Sequence, residues 1–155
     1  MKGMDKSIKV LNELLAGELA AIDQYFIHSR MYEDWGLSKL HEHLEHEHQE
    51  ETGHADAMIK RILFLEGTPN MVKRETIHVG KDTPEMLKND LKLEYSVIKN
   101  LRAAIALCEK EQDFETRAML VKQLEDSEED HAYWLEKQLG LIDKVGLPNY
   151  LQSMM

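Results

Sequence analysis

Proline occurs only three times, at positions 69, 84 and 148, so residues 1 to 68 and 85 to 147 run without one. Because proline breaks a helix interior, a chain punctuated this sparsely is free to form long helices. The apolar residues follow that period. Leu11, Leu14, Leu15, Ile22, Tyr25 and Phe26 recur ahead of Gly36 and predict a first helix of about 30 residues. Leu37, Leu40, Leu44, Ala55, Met58, Ile62 and Leu65 form the next stripe, stopped by Gly67, Thr68 and Pro69. Residues 67 to 83 lose the periodicity and, at 17 residues, exceed an ordinary connection, so they are expected to cross the length of the molecule. A third helix is expected to open on Thr83 as N-cap with Pro84 as its first residue, carrying Met86, Leu87, Leu91, Ile98, Leu101, Ile105 and Cys108. After Gln112 and Asp113 a fourth stripe, Leu120, Leu124, Leu135 and Leu139, runs up to Gly140, with a short fifth helix within Leu141 to Leu151. No alternating strand pattern occurs. The expected class is all-α: one domain over residues 1–155, a four-helix bundle with a long connection between its second and third helices and a short C-terminal fifth.

Composition narrows the function. The 29 acidic residues outnumber the 19 basic ones, a net charge of −10 that repels phosphate backbones and gathers cations, so nucleic acid is not expected as a partner. No apolar run approaches the roughly 18 residues a membrane helix needs, and the opening residues lack an apolar export segment. The single cysteine, Cys108, excludes a disulfide framework and a thiolate zinc site. The expected location is the cytoplasm.

The four stripes share an anomaly: each holds ionisable residues where apolar ones belong. Glu18 lies between Leu15 and Ile22, Glu51 with His54 between Leu44 and Met58, Glu94 between Leu91 and Ile98, and Glu128 with His131 between Leu124 and Leu135. Each buried, unpaired carboxylate would cost several kcal/mol against a domain stability of about 5–15 kcal/mol. Two divalent ions would neutralise four glutamates, and carboxylates with imidazoles suit such ions. A Glu-x-x-His step sets both side chains on one helix face, a known arrangement in two-metal carboxylate bundles. The motif occurs four times. Glu75/His78 falls in the crossover and Glu45/His48 has no glutamate at its height on other helices, so both are set aside. The remaining pairs form a degenerate repeat: Glu18 is followed by Glu51-x-x-His54 after 33 residues, and Glu94 by Glu128-x-x-His131 after 34. In antiparallel hairpins of nearly equal arms, all four clusters meet in mid-bundle.

The sequence here resembles the ferritin superfamily, and within it the bacterioferritins and bacterial ferritins, over essentially its whole length. The resemblance rests on Leu14-Leu15-Ala16-Gly17-Glu18-Leu19, Asp23-Gln24-Tyr25-Phe26 with Arg30-Met31, Glu51-x-x-His54-Ala55-Asp56, and Arg61-Ile62-Leu63-Phe64-Leu65-Glu66-Gly67. It continues in Asp90-Leu91-x-Leu93-Glu94, Glu128-x-x-His131 with Trp134-Leu135-Glu136, and Asn149-Tyr150-Leu151-Gln152. It implies a di-iron ferroxidase centre in which Glu18 and His54 hold one iron, Glu94 and His131 the other, and Glu51 and Glu128 bridge them. Tyr25 would lie nearby as an electron donor, and His46 and Glu50 would form an acidic, metal-attracting pair on the cavity wall. It also implies a hollow homo-oligomer of 24 subunits that oxidises Fe(II) with dioxygen or peroxide and stores Fe(III) as mineral.

Two features depart from the family, the first being Pro148 in the short last helix, harmless as that helix's first residue but costing about 3 kcal/mol in its interior; the second concerns haem. Bacterioferritins hold haem through a methionine immediately after the bridging glutamate of the second helix; here that residue is Thr52, followed by Gly53. Only His48, one turn earlier, offers a replacement, so haem is not expected in a shell of this chain alone, though a methionine-bearing partner subunit could bring it into a mixed shell. Two other functions share the expected fold: a structural subunit with little chemistry of its own, and a di-iron oxidase of an organic substrate.

Overall fold

Helices form in the expected order. The computed structural model describes residues 1–155 and contains α1 (Asp5–Asp34), α2 (Ser38–Phe64), α3 (Thr83–Lys110), α4 (Phe114–Glu125), a π-helical segment (Asp126–Ala132), α5 (Tyr133–Val145) and α6 (Leu147–Ser153). There is no strand. Through the π segment α4 and α5 make one continuous rod, the fourth long helix of an all-α bundle.

Two boundaries differ from expectation. The N-cap of α3 is Asp82 and not Thr83: Asp82 has extended backbone, and its carboxylate accepts the Glu85 N–H at 2.9 Å. A carboxylate there satisfies an end N–H and faces the positive end of the helix dipole, which a threonine hydroxyl does less well. The fourth rod also passes through Gly140 and stops at Gly146. An interior glycine costs only about 1 kcal/mol, which the packing of Leu135 and Leu139 outweighs, whereas Gly146 has φ 82°, a turn that side chains resist. Pro148 falls in the first turn of α6, where no intrahelical N–H is missed.

The crossover fixes the topology. Asn12 donates its side-chain N–H to Thr68 O, Glu75 N–H reaches Ala16 O, His78 N–H reaches Gln24 Oε1 and Gly80 N–H reaches His28 Nε2. These contacts advance along α1 in its own direction, so the segment climbs the bundle and delivers α3 parallel to α2. At the top, a β-carbon on Gly80 would lie 2.5 Å from Met86 N, which only glycine avoids. His28, Gln24 and Asp90, all buried, then pin α1 to α3, with His28 Nδ1 and Gln24 Nε2 each 2.8 Å from Asp90 Oδ1.

The apolar core is in two parts. One gathers Leu11, Leu15, Met58, Ile62, Leu101 and Leu120; the other gathers Tyr25, Leu40, Leu44, Met86, Leu87 and Leu135. Between them lies a layer of buried acids and histidines.

Candidate metal centre

Glu18 on α1, Glu51 and His54 on α2, Glu94 on α3 and His131 in the π segment point into that layer, and none is more than 8% exposed. Glu51 stands between the imidazoles: its Oε2 lies 3.4 Å from His54 Nδ1 and its Oε1 2.9 Å from His131 Nδ1. Glu18 Oε2 lies 3.9 Å from His54 Nδ1, and Glu94 Oε1 lies 3.3 Å from His131 Nδ1. The donors form two overlapping triads, Glu18–Glu51–His54 and Glu51–Glu94–His131, each with its donor atoms within 4.8 Å of one another. Glu51 belongs to both, which is the position of a bridging ligand. Tyr25, buried above it, donates its hydroxyl to Glu94 Oε1.

The electrostatics are those of a charge cluster without its counter-ion. Burial, then the neighbouring Glu51, pushes Glu18 well above the usual carboxylate range. Burial pushes Glu94 up to about 7, with repulsion by Glu51 added and the contact with His131 opposing. Glu51 stays below the usual range: burial would raise it, but contacts from Glu18, His131 and His54 outweigh burial. Both imidazoles hold protons more tightly than usual in spite of burial, His131 through Glu47, Glu51 and Glu94, and His54 through Glu51 and Asp126. Protons thus stand in for cations.

Hydrogen bonding tests the fit of a metal. Glu18 Oε2, Glu51 Oε1 and Oε2, Glu94 Oε2 and His54 Nδ1 are buried with no hydrogen-bond partner. Each such atom costs about 1–3 kcal/mol, and all five are potential metal-donor atoms gathered in two overlapping triads. Hard carboxylate oxygens mixed with borderline imidazole nitrogens suit iron, manganese or zinc.

Glu128 does not join them. Its Oε1 lies 2.8 Å from an Arg102 nitrogen at a side chain 37% exposed, so the second Glu-x-x-His step delivers its histidine without its glutamate. The π segment is the cause. In an α-helix three residues make nearly a full turn, whereas the wider π turn leaves Glu128 and His131 on different faces. The two motifs set aside stay out of the cluster: Glu45 binds Arg30 at 2.9 Å, and Glu75 and His78 are exposed.

Three acids reach the outer nitrogens of the histidines, and two of them, Glu47 and Asp126, come from outside the expected set. Glu47 Oε2 lies 2.5 Å and Glu50 Oε2 2.7 Å from His131 Nε2, while Asp126 Oδ2 lies 3.0 Å from His54 Nε2. Glu47 was readable, since Leu40, Leu44, Glu47, Glu51 and His54 form one stripe of three- and four-residue steps. Asp126 carries no such signal, because only the π turn brings it round. His46 Nε2 lies 2.9 Å from Glu50 Oε1, so that pair forms as spacing implies. At the family's haem position the Thr52 hydroxyl donates to His48 O on its own helix, 3.0 Å away, and His48 Nδ1 lies 3.3 Å from Ile22 O with its ring against Phe26.

Long helices in two hairpins, a crossover and a mid-bundle cluster of carboxylates and imidazoles define the class of ferritin-like two-metal proteins. The chain belongs to the ferritin family: the family model described as the ferritin-like domain matches residues 8–145. It is 61% identical over 155 residues to a bacterial ferritin of Synechocystis sp., covering 100% of this chain and 99% of that one. A bacterial ferritin of Pseudomonas aeruginosa is 63% identical over 153 residues, 99% of each chain, and a bacterioferritin of Mycolicibacterium paratuberculosis 42% identical over 150 residues, 97% of this chain and 94% of that one. Iron storage coupled to Fe(II) oxidation is the function of this class.

Proposed function

We propose that two Fe(II) ions are the substrate of the central cluster, one held by Glu18 and His54, the other by Glu94 and His131, with Glu51 between them. The observation that carries this is Glu51 itself, buried between two imidazole nitrogens that approach one oxygen each without completing a hydrogen bond to it. Two ions fixed by a common carboxylate can give up one electron each, which together reduce dioxygen to peroxide, or peroxide to water. The chain's own residues manage the protons. Binding displaces protons from Glu94, Glu18 and the imidazoles, and Glu94 Oε1 accepts the Tyr25 hydroxyl, so Tyr25 can lose a proton along that bond if it supplies an electron.

Glu128 completes the set as the second bridge when the π segment rewinds to an α-helix on metal binding. Its partnership with Arg102 is an exposed pair worth about 0–1 kcal/mol. Metal sites contribute up to roughly 10 kcal/mol or more in small domains, so the exposed pair cannot hold Glu128 out.

Chains of the ferritin family assemble into multimeric shells. The reading here is a 24-subunit shell of one domain per chain, residues 1–155, with His46 and Glu50 on its inner wall and the oxidised iron inside. Its expected location is the cytoplasm; no helix is long and apolar enough to cross a membrane. A shell of this chain alone should bind little haem, because Thr52 and His48 turn their polar atoms back onto the subunit, and a methionine-bearing partner subunit is the route by which haem would enter.

Multi-turnover oxidation of Fe(II) by the purified assembly, with mineral retained in the shell fraction, is the expected result. Rapid oxidation without retained mineral would point to an oxidase. No fast oxidation, with iron still bound, would point to a structural subunit.

A further inference from the structure

The apolar cluster beyond the metal-binding layer encloses polar groups that the centre does not use. Tyr25, His28 and Tyr32 follow one another on the buried face of α1 at steps of three and four residues. Trp35 caps the helix three residues further on and is 42% exposed. Its ring meets Tyr32 edge to face, centres 6.2 Å apart with the planes at 80°. Tyr25 and Tyr32 are two helical turns apart, about 10.5 Å along the axis. Three oxidisable rings therefore lead from the carboxylate of Glu94 to the surface.

The middle ring has an unusual setting. The Tyr32 hydroxyl is buried without a hydrogen-bond partner, and so is Asp90 Oδ2. The rest of Asp90 is held firmly: Gly80 N–H donates to His28 Nε2, which leaves the imidazole proton on Nδ1, and Nδ1 and Gln24 Nε2 both donate to Oδ1. Burial, then Asp90, holds the Tyr32 hydroxyl well above its usual range, so that carboxylate acts on it directly. Asp90 and Glu94 are one turn apart on α3, which runs antiparallel to α1, and each tyrosine thus has a carboxylate near its own height. An oxidised phenol is a strong acid, so a buried tyrosine gives up an electron readily only where a base takes its proton. Asp90 Oδ2 is such a base.

We propose that Tyr25, Tyr32 and Trp35 form a relay that carries single electrons from the surface to the centre, with Asp90 as the proton acceptor of Tyr32. The relay rests on the Fe(II)-oxidation reading for its oxidant. Reducing peroxide to two waters takes two electrons and two protons, the protons coming from solvent. Where one Fe(II) alone is in place, it supplies one electron and Tyr25 the other, the Tyr25 proton leaving along the bond to Glu94 and a phenoxyl radical remaining. Without that second electron the O–O bond would split to hydroxide and a hydroxyl radical. Tyr32 then reduces Tyr25: its electron crosses, its proton passes to Asp90, and Tyr25 recovers its own from Glu94. Trp35 reduces Tyr32 in turn, Asp90 returns the proton, and the indole proton leaves to water. A soluble one-electron reductant of the ascorbate type restores Trp35 at the surface.

A flash experiment tests the relay without iron. A ruthenium photo-oxidant is attached to the metal-free assembly at Asp34→Cys, an exposed position beside Trp35; Cys108 is buried and does not take the label. The tryptophanyl radical formed by the flash should pass to a tyrosine. In Tyr32→Phe, which removes only an unpartnered hydroxyl and should melt no lower than wild type, the signal should stay on tryptophan. In Asp90→Asn the transfer should slow by about tenfold or more. No tyrosyl signal in wild type, an undiminished one in Tyr32→Phe, or wild-type speed in Asp90→Asn would each overturn the proposal. With peroxide and one Fe(II) per subunit, freeze-quenched paramagnetic resonance should show the Tyr25 radical outlasting that of wild type by about tenfold in Tyr32→Phe and in Trp35→Phe, and equal decay would also count against the relay. The flash result uses no iron, so it stands or falls apart from the ferroxidase reading.

Discussion

His54 and His131 sit in identical Glu-x-x-His steps, yet the two steps fold differently. On α2 the helix is regular, and Glu51 and His54 enter the centre together. In the fourth rod the step falls within the π segment, so His131 enters and Glu128 leaves. The outer nitrogens differ as well: His54 Nε2 meets one acid, Asp126, and His131 Nε2 meets two, Glu47 and Glu50. A motif thus specifies the chemistry of a helix face only where the helix keeps its period. On the proposed reading, the half of the site on α2 is arranged for metal as it stands, and the half on the fourth rod would change shape to complete it.

The largest effect should come from the residue both halves share. Glu51→Ala leaves two imidazoles without their common partner, and the fast phase of Fe(II) oxidation should fall by more than the ~10–100-fold typical of outer-shell changes. Oxidation at the wild-type rate would remove Glu51 from the bridge. Glu128→Ala probes the difference directly. It should lower the fast phase by about 10–100-fold, yet leave the stability of the metal-free protein within about 0.5 kcal/mol, since only an exposed pair with Arg102 is lost. An unchanged fast phase would show that the π segment never rewinds.

Acid should weaken metal binding. Glu94 holds its proton up to about pH 7 and metal must displace it, so its contribution to affinity grows with pH up to that value, while Glu18 and the imidazoles, which also hold protons more tightly than usual, carry the rise beyond it. For this proton alone the fall is about tenfold per pH unit, measurable by Zn(II) titration between pH 5.5 and 7. A flat profile would mean that Glu94 is not displaced. The smallest effect belongs to Asp126→Asn. An amide can still accept the Nε2 proton of His54 but adds no negative charge, so affinity on the Glu18 side should drop by no more than about tenfold, with the His131 side unaffected. Equal weakening of both sides would mean that Asp126 acts on the whole fold.

Most of the fold was legible because it rests on period and punctuation. The apolar stripes, the scarcity of proline and the Gly67-Thr68-Pro69 stop fixed four rods and a crossover, and the buried positions of Glu18, Glu51, His54, Glu94 and His131 followed from the stripes they interrupt. What could not be read was a change of period within a helix. Nothing in Asp126-Ser127-Glu128-Glu129-Asp130-His131 marks a π turn, and an α-helical wheel necessarily places Glu128 inward and leaves Asp126 unassigned. The helix ends failed for a different reason: Asp82 and Thr83 are both good caps, and which one serves depends on where the crossover delivers the chain.

The divided core has a consequence for how the bundle resists opening. Each apolar cluster can protect its own backbone amides from solvent exchange, whereas the charged waist between them has little apolar area to do so. Amides near Glu51 and His131 are therefore the natural place for the two ends to breathe independently when no metal is present. Bound ions tie all four rods at that height, so loading should slow exchange at the waist far more than at either end and turn two weakly coupled halves into a single stiff unit.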